Sequence, residues 1–281
     1  MKKVAVIGAG VMGSGIAYAS VTAGYEVLVY DLSEEVLAKS KKQIDSLFEK
    51  GLTRGKITLQ EINHCQNRLK YSSQFSEIKA DIILEAIVEK LEIKRELFKN
   101  LEEQNSADCI FATNTSSIPI TQISRGLNYP ERVVGVHFFN PAHIMKLVEI
   151  IKGAATNNNI AEKAFNWAKS LSKTAVYAED SPGFIVNRVA RHFYVESLKA
   201  LEENVADLET IDRLLESTGF KMGPFRLMDL IGVETNFSVT SSMYEQFGYD
   251  SKFRPSRIQK QKVDAGFHGR KTGRGFYSYE D

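Results

Sequence analysis

The feature that most constrains this chain lies at residues 8–13, where Gly8-Ala9-Gly10-Val11-Met12-Gly13 follows the short apolar run Val4-Ile7 and opens an Ala/Gly-rich stretch. A G-x-G-x-x-G between a strand and a helix allows a turn too tight for side chains. It also lets backbone approach a pyrophosphate, and it aims the helix's first N–H groups and positive dipole end at that anion. Asp31 closes the next apolar run, Val27-Tyr30, eighteen residues past Gly13. A carboxylate there accepts hydrogen bonds from an adenosine ribose and repels a 2′-phosphate, so the pattern points to NAD rather than NADP.

The rest of the first half fits that start. Ile82-Ala86, Ile110-Ala112, Val133-Val136 and Ala175-Tyr177 read as further strands alternating with amphipathic stretches, the texture of a parallel sheet covered by helices on both faces. A charged insert from Glu34 to about Glu77 carries apolar residues at helical spacing, with a break at Gly51-Leu52-Thr53-Arg54-Gly55. It reads as a helical hairpin projecting from the sheet. The texture changes near Asp180-Ser181-Pro182-Gly183, with Pro182 placed to open a long helix through Phe184, Val189, Phe193, Leu198 and Leu201. The expected fold is therefore α/β: a Rossmann-type doubly wound sheet over residues 1–181 with a helical hairpin insert. An all-helical domain, 182–281, would follow for substrate binding and dimerisation.

Composition narrows the partners. Lys and Arg (36) nearly balance Asp and Glu (35), which gives no global field toward nucleic acid or an anionic membrane. No stretch approaches the roughly 18 apolar residues that span a bilayer, and the N-terminus lacks a signal pattern, so a cytoplasmic location is expected. Cys65 and Cys109 lack CxxC or metal-ligand spacing, so they read as reduced thiols, with no metal site.

Several residues carry candidate chemistry. His137 closes the strand Val133-Val136 and precedes Phe138-Phe139-Asn140-Pro141, at the carboxyl end of a strand where open α/β sheets bind ligands. Glu149 lies twelve residues on, in the apolar run Leu147-Ile151. A hairpin between them would set the carboxylate beside the imidazole, hold one ring proton and make the other nitrogen a base. Asn114-Thr115-Ser116-Ser117 offers an amide and hydroxyls at another strand end. Asn187, one and a half turns into the long helix, is poor helix filler and a candidate donor to a substrate carbonyl.

Together these segments resemble the 3-hydroxyacyl-CoA dehydrogenases over essentially the whole chain. The likeness is carried by GAGVMGSGIA at 8–17, EAIVEK at 85–90, NTSS at 114–117, HFFNP at 137–141, MKLVEII at 145–151, SPGFIVNR at 181–188, GPFRLMDLIG at 223–232 and GRKTGRGFY at 269–277. The resemblance implies His137 as general base, Glu149 as its orienting partner, and Ser116 and Asn187 as hydrogen-bonding contacts to the substrate. It places Glu89, Lys94, Ser116 and Asn140 near the nicotinamide end of NAD, with Gly8, Gly10, Val11, Met12, Gly13 and Asp31 around the dinucleotide. It implies a coenzyme A thioester as substrate, with Lys50, Arg54 and Lys56 at the hairpin tip offered to the CoA phosphates, and a homodimer. Arg54 stands where a lysine is often found in the family.

The stretch Val189-Ala190-Arg191-His192-Phe193-Tyr194 looks more like the branch that oxidises 3-hydroxyadipyl-CoA in phenylacetate breakdown than like the short-chain 3-hydroxybutyryl-CoA enzymes. Arg191 or Arg226 would then face the second carboxylate. Two other readings stand beside this one. A 3-hydroxyacid or 6-phosphogluconate-type dehydrogenase shares the Rossmann-plus-helices plan but relies on a catalytic lysine. A non-catalytic NAD-binding protein of the same fold would keep the architecture without the activity.

Overall fold

A computed structural model describes residues 1–279, in two compact units, 1–181 and 182 onward. In the first, the order is β1 (Lys3–Ile7), α1 (Val11–Thr22), β2 (Glu26–Tyr30), α2 (Glu34–Thr53), α3 (Leu59–Arg68), β3 (Leu69–Ser72), β4 (Ile82–Glu85), α4 (Leu91–Gln104), β5 (Ile110–Thr113), α5 (Ile120–Ser124), β6 (Val133–Phe138), β7 (Leu147–Lys152), α6 (Asn158–Ser170) and β8 (Thr174–Glu179). The eight strands make one sheet in the order β3-β2-β1-β4-β5-β6-β7-β8. Pairing is parallel from β3 through to β6, antiparallel between β6 and β7, and parallel again between β7 and β8. The strand order reverses between β1 and β4, which opens a crevice beyond their carboxyl ends.

Burial explains why the central strands are continuous apolar runs. Val4, Val6, Val29, Ile82, Leu84, Ala112, Val134 and Val136 lie under helices in a single core with Ile16, Ala17, Trp167 and Ala168. The insert is the expected hairpin, but its turn lies three residues further along the chain than the sequence suggested. Gly51, Leu52 and Thr53 complete α2, and the turn runs from Arg54 to Thr58, where Thr58 and Glu61 form a reciprocal capping box for α3. The hairpin packs back on the core through Ile44, Phe48, Ile62 and Cys65, with the Phe48 ring 5.1 Å from that of Tyr18 on α1. Its end also supplies β3, an edge strand that the helical reading of the whole insert overlooked.

The second unit comprises α7 (Val186–Glu202), α8 (Leu208–Ser217), α9 (Pro224–Ile231), α10 (Val233–Gln246) and α11 (Arg257–Asp264). Its core gathers Tyr194, Leu198, Ile211, Phe225, Met228, Val233 and Phe276. Pro182 does not open the long helix. Gly183 and Phe184 take φ of 74° and 50°, a left-handed turn that no α-helix contains, so α7 starts at Val186. Asn187 therefore sits in the first turn rather than one and a half turns in.

Two motifs that carried the resemblance are structural in this unit. Asp229, buried in DLIG, accepts from the backbone N–H groups of Phe276 (2.8 Å) and Tyr277 (2.9 Å), tying the C-terminal segment to α9. A Cβ on Gly275 would lie 2.0 Å from the Asp229 carboxylate, so that glycine is sterically required. Asp212 likewise accepts from Phe225 N–H at 2.9 Å and from the Tyr277 hydroxyl at 2.8 Å.

Candidate active site

The phosphate-binding turn is assembled by sterics. Gly8 has φ of 97°, and a Cβ there would lie 2.6 Å from the Ala86 carbonyl oxygen; a Cβ on Gly13 would lie 1.8 Å from the Gly8 carbonyl oxygen. A Cβ on Gly10 would meet nothing within 4 Å and would project into the open cradle itself. Gly10 caps α1 with no side-chain hydrogen bond, and Ser14 N–H makes the helix's first internal bond to the Gly10 carbonyl. The N–H groups of Val11, Met12 and Gly13 are thus left to an anion. Asp31 is held in place by two backbone donors, Ala9 N–H at 2.9 Å and Ser33 N–H at 3.0 Å, one on each carboxylate oxygen. Each oxygen keeps acceptor capacity for a ribose hydroxyl. Beside them opens a cavity of about 810 Å³ lined by Gly8, Gly10, Asp31, Leu32, Ile87 and Val88, wide enough and apolar enough for an adenosine. These residues fit NAD.

The β4 and β5 ends carry an ionic cluster. Glu85, fully buried as the last residue of β4, accepts from Lys94 Nζ (2.5 Å), Thr113 Oγ1 (2.6 Å) and Ile87 N–H (2.8 Å). Lys94, equally buried, also pairs with Glu89 at 3.1 Å. Glu89 in turn accepts from Thr115 Oγ1, from Ser116 N–H at 3.0 Å and from Ser117 Oγ at 3.3 Å. Burial pushes the Glu85 carboxyl above the usual carboxylate range despite Lys94. At Glu89 burial acts the same way, but Lys94 and the hydroxyl and amide donors outweigh it and hold the carboxyl low. Glu89, Lys94 and Ser116 therefore form one network. Its buried anchor, Glu85, and the hydroxyl of Thr113 were missed from sequence.

His137 and Glu149 meet as the hairpin reading required. The connection between them is shorter than expected, residues 139–146, because β6 continues through His137 and Phe138. Antiparallel pairing of β6 with β7 places His137 directly opposite Glu149, on one face of the sheet. Glu149 Oε2 lies 2.7 Å from His137 Nδ1, and both side chains are buried. A carboxylate only accepts, so Nδ1 carries the proton in this contact. The Phe139 ring packs 4.5 Å from the imidazole. Beyond it, Asn140 is exposed on the connecting loop and its bond to Pro141 is cis. Lys173 Nζ fastens this loop by donating to the carbonyls of Ala142 (2.6 Å) and Met145 (2.9 Å). Asn114, expected among groups facing a substrate, instead accepts from Phe138 N–H at 2.9 Å and clamps β5 to β6.

Lys50, Arg54 and Lys56 are exposed at the hairpin tip, and none has an ion-pair partner among the described residues. Asn187 stands in the second unit at the start of α7, with Arg191 Nη2 3.5 Å from its Oδ1. Among the described residues, no group of three His, Cys, Asp or Glu side chains is placed to hold a metal ion, and no helix is long and apolar enough to cross a membrane.

Comparison with known proteins gives the family. Residues 3–181 match the NAD-binding domain of 3-hydroxyacyl-CoA dehydrogenase and residues 183–279 match its C-terminal domain. The chain is 43% identical, over 99% of its length, to 3-hydroxyadipyl-CoA dehydrogenase of Escherichia coli K12, and spans 59% of that protein. It is 40% identical to a probable 3-hydroxybutyryl-CoA dehydrogenase of Bacillus subtilis 168, covering 100% of this chain and 98% of that one. The crystal structure of (S)-3-hydroxybutyryl-CoA dehydrogenase from Ralstonia eutropha superposes with a TM-score of 0.96 at 34% identity, over 100% of both chains. This chain belongs to the 3-hydroxyacyl-CoA dehydrogenase family. Its first unit is the family's NAD-binding domain, and its cofactor is NAD.

Proposed function

We propose that this chain catalyses the reversible, NAD-dependent oxidation of an (S)-3-hydroxyacyl-CoA to the 3-oxoacyl-CoA, with His137 as general base. The observation that carries the reading is the 2.7 Å contact between the His137 and Glu149 side chains at the carboxyl end of β6. NAD, when bound, supplies the hydride acceptor. His137 Nε2 takes the 3-hydroxyl proton while the C3 hydrogen leaves with its electron pair, and Glu149 stabilises the imidazolium that forms. In reduction the imidazolium returns the proton to the 3-oxygen. Ser116 and Asn187, by family resemblance, hydrogen-bond the reacting oxygen and the thioester. The exposed Lys50, Arg54 and Lys56 offer cationic partners to the CoA phosphates.

A homodimer through the helical unit is part of the proposal, supported by the exposed apolar side chains of Val189, Leu214, Phe220, Leu230 and Ile231. A cytoplasmic setting is supported by Cys65 and Cys109, both unpaired and buried, the state that reducing compartments maintain. NADH oxidation with acetoacetyl-CoA tests the reaction. Turnover supports it. NAD binding without turnover of any 3-oxoacyl-CoA would favour a non-catalytic protein of the same fold. Light scattering at micromolar concentration tests the dimer, and a monomer contradicts it.

A further inference from the structure

The crevice opens where β1 and β4 part, and a dinucleotide laid across such a switch point divides between two sets of strand ends. Asp31 and the phosphate cradle serve the adenosine half on the β1–β2 side. The nicotinamide half then falls over the carboxyl ends of β4 and β5, beside the β6 strand that carries His137. The group that organises this second side is itself fully buried.

Glu85 ends β4 directly opposite Thr113, the last residue of β5, and is 0% exposed. Three elements converge on its carboxyl group. Oε1 accepts from Ile87 N–H (2.8 Å), on the loop between β4 and α4, and from Lys94 Nζ (2.5 Å), on α4; Oε2 accepts from Thr113 Oγ1 (2.6 Å). Two of these arms reach on toward the crevice. Thr113 Oγ1 accepts in turn from Thr115 N–H at 3.3 Å, where the chain leaves β5. Lys94 Nζ spans from Glu85 to Glu89, which gathers Thr115 Oγ1, Ser116 N–H and Ser117 Oγ. Of Glu85, Lys94 and Glu89, the last alone reaches solvent, with its side chain 38% exposed. The buried pair therefore lies beneath, and Glu89 with the 115–117 segment is the surface above it. Polar groups buried this deeply are costly unless their bonds are made, so Glu85 holds its partners to one arrangement.

We infer that Glu85 is a positioning residue for the nicotinamide half of the cofactor. It acts through Lys94 and Thr113, whose placement sets Glu89 and the backbone of 115–117. The inference takes NAD as the cofactor but does not depend on the reaction proposed above, so the two can fail separately.

The test is the ratio of affinities for NADH and ADP, from calorimetric titration of the full chain. ADP occupies the adenosine and phosphate side alone, so a general weakening of the fold moves both ligands together and leaves the ratio unchanged. Glu85→Leu removes all three bonds at similar volume, and Thr113→Val removes only the β5 arm. Each should lower the NADH-to-ADP ratio about 10-fold, the scale of one buried charge-assisted hydrogen bond. Glu85→Gln, whose amide can keep bonds to Ile87, Lys94 and Thr113, should stay within about threefold of the wild type. Thr113→Val serves if Glu85→Leu does not fold. A ratio unchanged in these two variants overturns the inference. So does a Glu85→Gln ratio as low as that of Glu85→Leu, which would assign the effect to charge rather than placement. A wild type that turns over no 3-oxoacyl-CoA, yet shows the predicted ratios, defeats the proposed reaction and leaves the inference standing.

Discussion

Replacing Lys94 with Met tests whether the Glu85-Lys94-Glu89 cluster is held by charge. Lys94 and Glu85 are 1% and 0% exposed and 2.5 Å apart, so removing the ammonium strands a carboxylate shielded from bulk solvent. Breaking a buried pair from one side costs about 3–5 kcal/mol, and at about 2–4 °C per kcal/mol for a protein of this size the melting temperature should fall by roughly 6–20 °C. Glu85 can escape part of this penalty by taking a proton, which fixes the sign of the pH dependence. Its carboxyl is already raised in the wild type, and loss of Lys94 raises it further. A carboxyl whose folded pKa lies above its unfolded value of about 4.3 contributes stability that is fully present below that value and is lost as pH rises. The deficit should therefore be smallest near pH 5 and widen by pH 8, as read by thermal unfolding of both proteins at each pH. Adding Glu85→Gln to the variant should recover much of the loss, because the amide can keep its bonds to Thr113 and Ile87 without a charge. A deficit that ignores pH, or a double variant no more stable than Lys94→Met, would refute the reasoning.

Three further outcomes follow from single side chains. Asp31→Ala should weaken NAD binding about 10- to 100-fold and relax discrimination against NADP, measured by titration with both dinucleotides. The Tyr71 hydroxyl is buried without a hydrogen-bond partner among the described residues, so Tyr71→Phe should raise stability by about 1 kcal/mol in urea unfolding, and a loss of similar size would contradict this. Burial pushes the Cys109 thiol up to about 12, against about 8.5 unfolded, so its contribution to stability is complete below pH 8.5 and is lost as pH climbs toward 12. Cys109→Ala should flatten that alkaline decline, and in the native wild type both cysteines should resist a thiol reagent at pH 8 until the chain is unfolded.

The sequence discloses what local covalent geometry controls. Gly8 and Gly13 announce their turn because nothing larger fits, and Asp31 is legible because strand length fixes its distance from them. His137 and Glu149 are legible as two strand residues separated by one reversal, although the extent of β6 is not. Other features depend on contacts distant in sequence. Glu85 ends an apolar strand, where its role emerges only when α4 turns Lys94 back over it. The strand Leu69–Ser72 lies at the sheet edge and lacks an apolar run, so nothing separates it from the hairpin before it. The start of α7 was misplaced because Phe184 adopts a positive φ that its residue type does not favour. Arg191 and Arg226 could be named from sequence, but not that the first is buried and the second partly exposed.

The most direct test of the account is the rate of NADH oxidation by acetoacetyl-CoA for the wild type and His137→Ala, with NAD binding measured on both. A positioned acid–base group contributes about 10²- to 10⁴-fold, so the variant should lose turnover on that scale while still binding NAD. Equal turnover in the two proteins would contradict the assignment of His137 and the mechanism built on it.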